Sequence, residues 1–515
     1  MNLLRAAGAV SALTLLSRLT GLVRDVLIAR SFGAGSDVDA FWVAFRLPNL
    51  LRRLFAEGAF SQAFVPIFAH TQANAGPGGA RELLSHVASA LFWSVLCVSA
   101  LGVVAAPALV VLIASGFLRT PAVFDLATLL TRWMFPYIFC MSLVACAAGA
   151  LNTFGRFAVP AVTPVLLNVS MISLTVLAAP YVHPPILALA IGVLTGGLLQ
   201  LAIQLPALAR IGMLPSLVGP RSCVRDPQVR RMLRQMGPAV FSVSVAQVSL
   251  IINTSIASYL GAGSNSWLAF ADRLMEFPTA LLGVALGTVL LPSLSRAFAA
   301  GRTEQYSSLL DWGLRMTCLV ALPAMVALAI LAKGMIAALF AGGRFDEHDV
   351  AQTAAALTGY AVGLIGLIAI KILAPGFYAR QDIRTPVKIA LVALATTQAA
   401  NIVLVPWFRH AGLAMSVSVG ACANAVLLLW ALRRRGFYQP MPGWSAFFGR
   451  QLLALCALAV LLWVIRGHLP MPTPASAFGA RLWWLSIVVG VGGAGYLAML
   501  WLLGFRLRDF VLRSA

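Results

Sequence analysis

Ser17–Phe60 reads SRLTGLVRDVLIARSFGAGSDVDAFWVAFRLPNLLRRLFAEGAF. Apolar residues thread this stretch at the density of a membrane span. It nevertheless holds Arg18, Arg24, Asp25, Arg30, Asp37, Asp39, Arg46, Arg52, Arg53 and Glu57. In a soluble protein such a segment is an ordinary amphipathic one; inside a bilayer each charge is expensive. Which solvent surrounds the chain therefore decides how the stretch is read.

The rest of the chain answers that. Its 515 residues are 60% hydrophobic and 10% charged, with a mean hydropathy of +0.91. Soluble domains carry about 25% charged residues. Apolar windows of about 20 residues, enough to cross a bilayer core of about 30 Å, recur almost end to end. The expected class is an all-α polytopic membrane protein. About fourteen spans fall near 6–30, 37–68, 85–114, 126–154, 159–182, 184–208, 237–261, 266–298, 307–341, 350–377, 386–408, 411–432, 447–467 and 480–504. No cleavable signal is expected: Arg18 and Arg24 interrupt the first apolar run, so Met1 is read as retained.

The net charge of +21 invites a nucleic-acid reading. The distribution argues against it, because the arginines lie in short loops between apolar spans with no basic tail. With the N-terminus inside, cytoplasmic segments collect about 21 Lys and Arg and the opposite side about seven. The positive-inside rule then places both termini in the cytoplasm. The longest connection, 209–236, holds Arg210, Arg221, Arg225, Arg230, Arg231 and Arg234. The seven cysteines show no metal spacing and are read as small apolar residues at helix contacts.

The chain also repeats itself. Residues 28–36, IARSFGAGS, match residues 256–264, IASYLGAGS, at an offset of 228. Arg46-Leu47 matches Arg273-Leu274, and Pro66 matches Pro292, at nearly the same offset. That offset covers six spans, an even number, so both copies share one orientation: a parallel repeat about an axis along the membrane normal. The expected organisation is an N-lobe over 1–208, a basic linker over 209–236, a C-lobe over 237–433, and two additional spans within 434–515.

Five arginines (18, 24, 46, 52 and 53) facing lipid would cost on the order of 10 kcal/mol, so a polar interior is expected for them. At about 100° per residue, Asp39, Arg46, Arg53 and Glu57 fall within about 40° on one helix face, provided Pro48 does not break the phase. Asp25, Arg30 and Asp37 are expected at the interface. The equivalent helix of the second copy, in ADRLMEFP, carries Asp272, Arg273 and Glu276. The two sets are expected to form a net cationic cavity, and guanidinium groups suit a ligand rich in anionic oxygens, a diphosphate or a carboxylate. Structural ion pairing, Asp39 with Arg24 for instance, is the plainer alternative. Lys371 is either cavity-lining or a structural partner. Asn168 and the other intramembrane amides are expected as interhelical hydrogen bonds, and Thr195-Gly196-Gly197 as a close helix contact. Neither a nucleotide loop of the GxxxxGK[ST] type nor a catalytic arrangement is present, so a non-enzymatic transporter is expected.

Three runs carry a resemblance: FRLPNLLRRLFAEGAFSQAFVPIF (45–68), ADRLMEFPTALLGVALGTVLLPSLS (271–295) and KILAPGFYARQDIRTPVKIA (371–390). Through them the chain resembles the MurJ/MviN family of bacterial lipid II flippases, over essentially its whole length. The resemblance implies the MOP exporter fold, with two six-helix lobes and two further helices forming a groove for a lipid tail. It implies alternating-access transport of lipid II, the undecaprenyl-diphosphate-linked peptidoglycan precursor, from the cytoplasmic to the periplasmic leaflet of the inner membrane. It implies functional roles for Arg18, Arg24, Asp39, Arg52, Asp272, Arg273 and Glu276, with Arg46 standing where relatives often have Lys. Some members hold sodium through acids in spans seven and eleven; here those spans contain none, so no metal site is expected. No cofactor is expected beyond a coupling ion or the membrane potential. The expected partners are lipid II, membrane lipids and cell-wall synthases, with no nucleic acid. The rival readings are a drug exporter or another polyprenyl-diphosphate oligosaccharide exporter of the same superfamily, and a non-transporting scaffold for cell-wall synthases.

Overall fold

A computed structural model describes residues 3–52, 59–469, 471, 473 and 476–506. Among the described residues the regular structure is helical, apart from one isolated bridge between Gly342 and Phe345. Backbone polar groups cannot be left open in lipid, and a helix satisfies its own. The chain divides into two compact units, Met1–Asn265 and Ser266–Ala515.

The first unit contains α1 (Leu3–Phe32), α2 (Ser36–Arg52), α3 (Ala59–Val104), α4 (Ala106–Ala114), a 3-10 turn (Ser115–Arg119), α5 (Pro121–Met134), α6 (Tyr137–Thr153), α7 (Ala158–Leu177), α8 (Leu187–Arg210), α9 (Pro220–Arg225) and α10 (Pro227–Tyr259). α3 bends at Gly76, whose φ of 66° is left-handed. α7 packs on α1 and α8, α6 on α3 and α8, and α10 on α3 and α4. The contacts of α8 with α6 and with α7 are close because a glycine permits each. A Cβ on Gly197 would lie 2.6 Å from the Tyr137 ring, and one on Gly196 3.0 Å from the Leu167 Cα.

The second unit contains α11 (Ser264–Ala299), α12 (Thr303–Leu339), α13 (Glu347–Ala361), α14 (Leu364–Tyr378), α15 (Arg384–Arg434), α16 (Trp444–His468) and α17 (Phe478–Leu502). α15 is broken at Arg409, where φ is 49°. One core joins Leu290 and Leu294 of α11 to Leu310, Ile372, Phe377 and Leu428. A second joins α12 to α16 and α17 through Leu331, Leu458, Trp484 and Val488.

Nine segments among the described residues are long and apolar enough to cross a membrane. Five of them are longer than one crossing needs: Ala63–Val104, Pro121–Thr153, Thr303–Leu339, Glu347–Tyr378 and the broken Arg384–Arg434. α1 and α2 are not among the nine, and they bear the charges from Arg18 to Arg52.

The duplicated sequence is expressed in the backbone. Gly33 closes α1 with φ 77°, and its counterpart Gly261 follows α10 with φ 111°; in both copies a new helix begins three residues later, at Ser36 and Ser264. Glycine takes left-handed angles without the Cβ penalty. By sequence α10 opens the second copy, yet by contact it belongs with the first unit.

Candidate functional site

In the first unit, α1 places Arg24 and Asp25 side by side, 5% and 1% exposed. The Arg24 guanidinium donates from Nε and Nη2 to Asp25 Oδ1 at 2.8 and 2.7 Å. Its Nη1 donates to Asn168 Oδ1 of α7 at 2.9 Å. The Asn168 amide donates in turn to the Ser17 carbonyl at 3.0 Å and to Thr20 Oγ1 at 3.1 Å. One amide thus accepts from the charge and ties two helices together. A buried guanidinium is tolerable when its donors are filled in this way. Asp25, expected at the interface, is instead the buried counter-ion of Arg24. Arg18, earlier on α1, is half-buried, with no ion pair recorded among the described residues.

Asp39 and Arg46 both precede Pro48 on α2, which runs through that proline without interruption to Arg52. Both reach the C-terminal end of α10 and the turn that follows. Asp39, 2% exposed, accepts from the Gly263 backbone N–H at 2.7 Å. Arg46 donates through Nη1 to Thr254 Oγ1. Asp37 is exposed. The Arg52 side chain, Arg53 and Glu57 lie outside the described residues.

The same end of α10 is fastened a second time. Ser255 and Ser115 share a hydroxyl hydrogen bond of 2.9 Å, and the Gly116 N–H donates to Ser258 Oγ at 3.0 Å. A Cβ on Gly116 would sit 2.5 Å from the Ser258 carbonyl, so only glycine allows this approach.

In the second unit, Asp272, Arg273 and Glu276 lie on α11. Arg273 Nη1 and Glu276 Oε2 are 3.0 Å apart, their side chains 26% and 40% exposed. Asp272 is exposed. Lys371 of α14 donates to the Thr279 carbonyl at 3.1 Å, one turn beyond Glu276. α11 and α14 thus bring together four ionisable side chains that water or a ligand can reach.

A different acid, Asp311 of α12, is 2% exposed and not among the sequence-derived candidates. Its Oδ1 accepts from Tyr438 Oη at 2.7 Å, Trp444 Nε1 at 2.7 Å and the Met441 N–H at 3.1 Å. Arg315 Nε lies 2.8 Å from Oδ2, and its guanidinium covers Trp444. The sequence signal was present: an Asp and an Arg four residues apart in an otherwise apolar span. This knot holds the α15–α16 connection against α12. Between α14 and α15, Asp382 pairs with Arg435 at 2.6 Å and accepts from the Thr385 N–H and hydroxyl. Burial raises the Asp382 pKa, but the Thr385 hydrogen bonds and the Arg435 charge outweigh it, so its carboxyl titrates below the ordinary 3.8.

α12, α16 and α17, with Pro278 of α11, line an open apolar groove of about 520 Å³, bordered by residues such as Met316, Leu328, Leu462, Val488, Gly492 and Tyr496. It presents almost no polar surface, and a hydrocarbon chain suits such a lining. No cluster able to hold a metal ion occurs among the described residues.

Comparison with known proteins agrees with this architecture. The family model MurJ, described as lipid II flippase MurJ, matches residues 28–472. The lipid II flippase MurJ of Burkholderia cenocepacia is 50% identical over 515 residues, covering 100% of both chains. The probable lipid II flippase MurJ of Vibrio cholerae is 40% identical, covering 99% of this chain and 97% of its own. A solved lipid II flippase MurJ in an inward closed conformation superposes with a TM-score of 0.81 at 23% identity, over 97% of this chain and 99% of its own. An inward-facing multidrug resistance MATE transporter of the MOP superfamily superposes with a TM-score of 0.66 at 15% identity, over 84% of this chain and 98% of its own, a likeness of fold alone. The length and level of these matches show that the chain belongs to the MurJ family.

Proposed function

We propose that this protein is a lipid II flippase, a multi-pass protein of the bacterial inner membrane. It moves the undecaprenyl-diphosphate-linked peptidoglycan precursor from the cytoplasmic to the periplasmic leaflet. The observation that carries the reading is the 50% identity over the full length to a relative named for that activity. The chemistry of the chain supports it. The arginines of α1, α2 and α11 offer guanidinium donors to a diphosphate. The apolar groove among α12, α16 and α17 suits a polyprenyl tail that stays in the bilayer while the head crosses.

The ligand-facing set in this reading is Arg18, Arg46, Arg52, Arg53, Glu57, Asp272, Arg273 and Glu276, with Lys371 added by its place beside α11; the buried Arg24 and Asp39 belong to the site as the groups that hold its helices. Both termini are cytoplasmic by the excess of basic residues on that side. Sequence repetition assigns the N-lobe to 1–208 and the C-lobe to 237–433. A cell-wall synthase reached through the basic loops is the further partner, tested by co-purification. A drug exporter of cationic drugs, the rival reading, is disfavoured by the arginine excess.

The test is translocation of a labelled lipid II across vesicles holding the purified protein. Arg18→Ala and Arg273→Ala each lower the rate while the protein stays folded and inserted. Full translocation by both variants sinks the cationic-site reading; no translocation by the unaltered protein sinks the flippase reading.

A further inference from the structure

The connection from α8 to α10 carries charge that the transport reading does not use. In 209–236, Arg221, Arg225, Arg230, Arg231 and Arg234 are all exposed. The one acid, Asp226, is occupied elsewhere. Its Oδ1 accepts from the Gln228 and Val229 N–H groups at 2.8 and 3.0 Å, and its Oδ2 lies 3.2 Å from His86 Nδ1 on α3. The segment's own acid is thus taken up by the start of α10 and by His86.

Their placement is ordered. At about 100° per residue, Arg230, Arg231 and Arg234 occupy an arc of about 100° on the first turns of α10. The buried Val229, Met232 and Met236 occupy the opposite side. Arg221 and Arg225, four apart on α9, share a face. Apolar side chains stand among these charges, Leu217 63% and Leu233 51% exposed.

The platform is also fixed to α3. Ser85, Ser89 and Trp93, spaced four residues apart on α3, take up the backbone of 216–218: the Ser216 N–H donates to Ser85 Oγ at 3.0 Å, the Val218 N–H to Ser89 Oγ at 2.8 Å, and Trp93 Nε1 to the Val218 carbonyl at 3.0 Å. Arg81 Nε adds a bond to the Leu214 carbonyl at 3.2 Å. A connection held at four points presents its charges in a set arrangement and loses little entropy on binding.

Basic residues with interspersed leucines, placed where a chain enters an apolar span, match a leaflet of anionic headgroups over acyl chains. We propose that 217–234 is a binding surface for anionic phospholipid headgroups of the leaflet beside it, separate from the transport site. The leucines enter the headgroup boundary and the arginines meet the phosphates.

The experiment uses the full-length protein in phosphatidylcholine vesicles that hold a trace of spin-labelled phosphatidylglycerol or spin-labelled phosphatidylcholine. Electron spin resonance reads the immobilised fraction of each. The unaltered protein favours phosphatidylglycerol about threefold averaged over its lipid shell, and less as salt is raised. Changing all five arginines to Gln brings the ratio close to one; changing all five to Lys keeps it. A charge-matched control, Arg296, Arg302, Arg384, Arg433 and Arg434 to Gln, keeps it too. The proposal is overturned if the five-Gln protein retains the preference, or if the control loses as much. It is equally overturned if the preference is unchanged while binding of a purified cell-wall synthase disappears, which makes the surface a protein dock. The probes contain no lipid II, so failure here leaves the transport reading standing.

Discussion

Arg24 of α1 and Arg273 of α11 are both arginines in a membrane protein, and the molecule treats them in opposite ways. Arg24 is buried against Asp25 and Asn168, with all three of its guanidinium nitrogens engaged. Arg273 is a quarter exposed, with Glu276 beside it at 3.0 Å on a half-open helix face. The difference teaches that the cost of an intramembrane charge can be met in two ways. One is saturation by polar groups, which fixes helices together. The other is access to a polar space, which leaves the group able to meet a ligand. Burial tells the two apart where charge does not.

The largest expected effect tests the saturated site. Arg24→Ala leaves the Asp25 carboxylate buried without its counter-ion, and removing one partner of a buried pair costs about 3–5 kcal/mol. The thermal midpoint in detergent falls and less protein reaches the membrane. Replacing both partners, Arg24→Met with Asp25→Leu, restores most of that stability, because an apolar pair of similar size carries no desolvation penalty. If the double variant is stable and still transports, Arg24 is a structural group only. If it is stable and inactive, the buried arginine also meets the ligand.

Asp311 is the acidic mirror of Arg24, so Asp311→Ala should destabilise on the same scale, about 3 kcal/mol or more. It strands Tyr438, Trp444 and Arg315 together. Limited proteolysis of the 437–443 connection reads the loss, and unchanged protection there would remove the knot from the account.

At the open site the balance reverses. Arg273→Ala costs stability by no more than about 1 kcal/mol, the usual value of an exposed pair. Transport falls by the loss of a charged hydrogen bond, about 1.5–3 kcal/mol in transition-state terms, or roughly ten- to a hundredfold in rate. A thermal shift as large as that of Arg24→Ala, with transport intact, would break the comparison.

The smallest effect is an acid one. Because the folded pKa of Asp382 is depressed, its contribution is present above the ordinary value of 3.8 and is lost as pH falls through the folded value. Hydrogen exchange at the α14–α15 junction should therefore quicken below about pH 4, and Asp382→Asn should flatten that dependence.

Much of this was legible in the residues. Apolar windows of bilayer length and the scarcity of charge allow few solutions other than a helical membrane protein. The GAGS match reads as a duplication, and Gly33 and Gly261 within it both take a positive φ. Asn168 and Gly196-Gly197 took the packing roles expected of an amide and of small residues inside a membrane. Periodicity placed Asp39 and Arg46 on one face of α2, and both side chains reach the end of α10.

What the sequence determined by itself was class, repeat and charge sign, because these depend on spacing and on solvent cost per residue. Tertiary structure alone decided which charges are spent. Asp25 stands beside Arg24 in sequence, but only the approach of α7 with Asn168 buries both. Asp311 found its three donors 127–133 residues downstream, a distance no local pattern spans. The sequence assigned α10 to the second copy, and packing on α3 and α4 joined it to the first unit. Spacing along one helix fixes the direction of a side chain; what waits in that direction is supplied by another part of the chain.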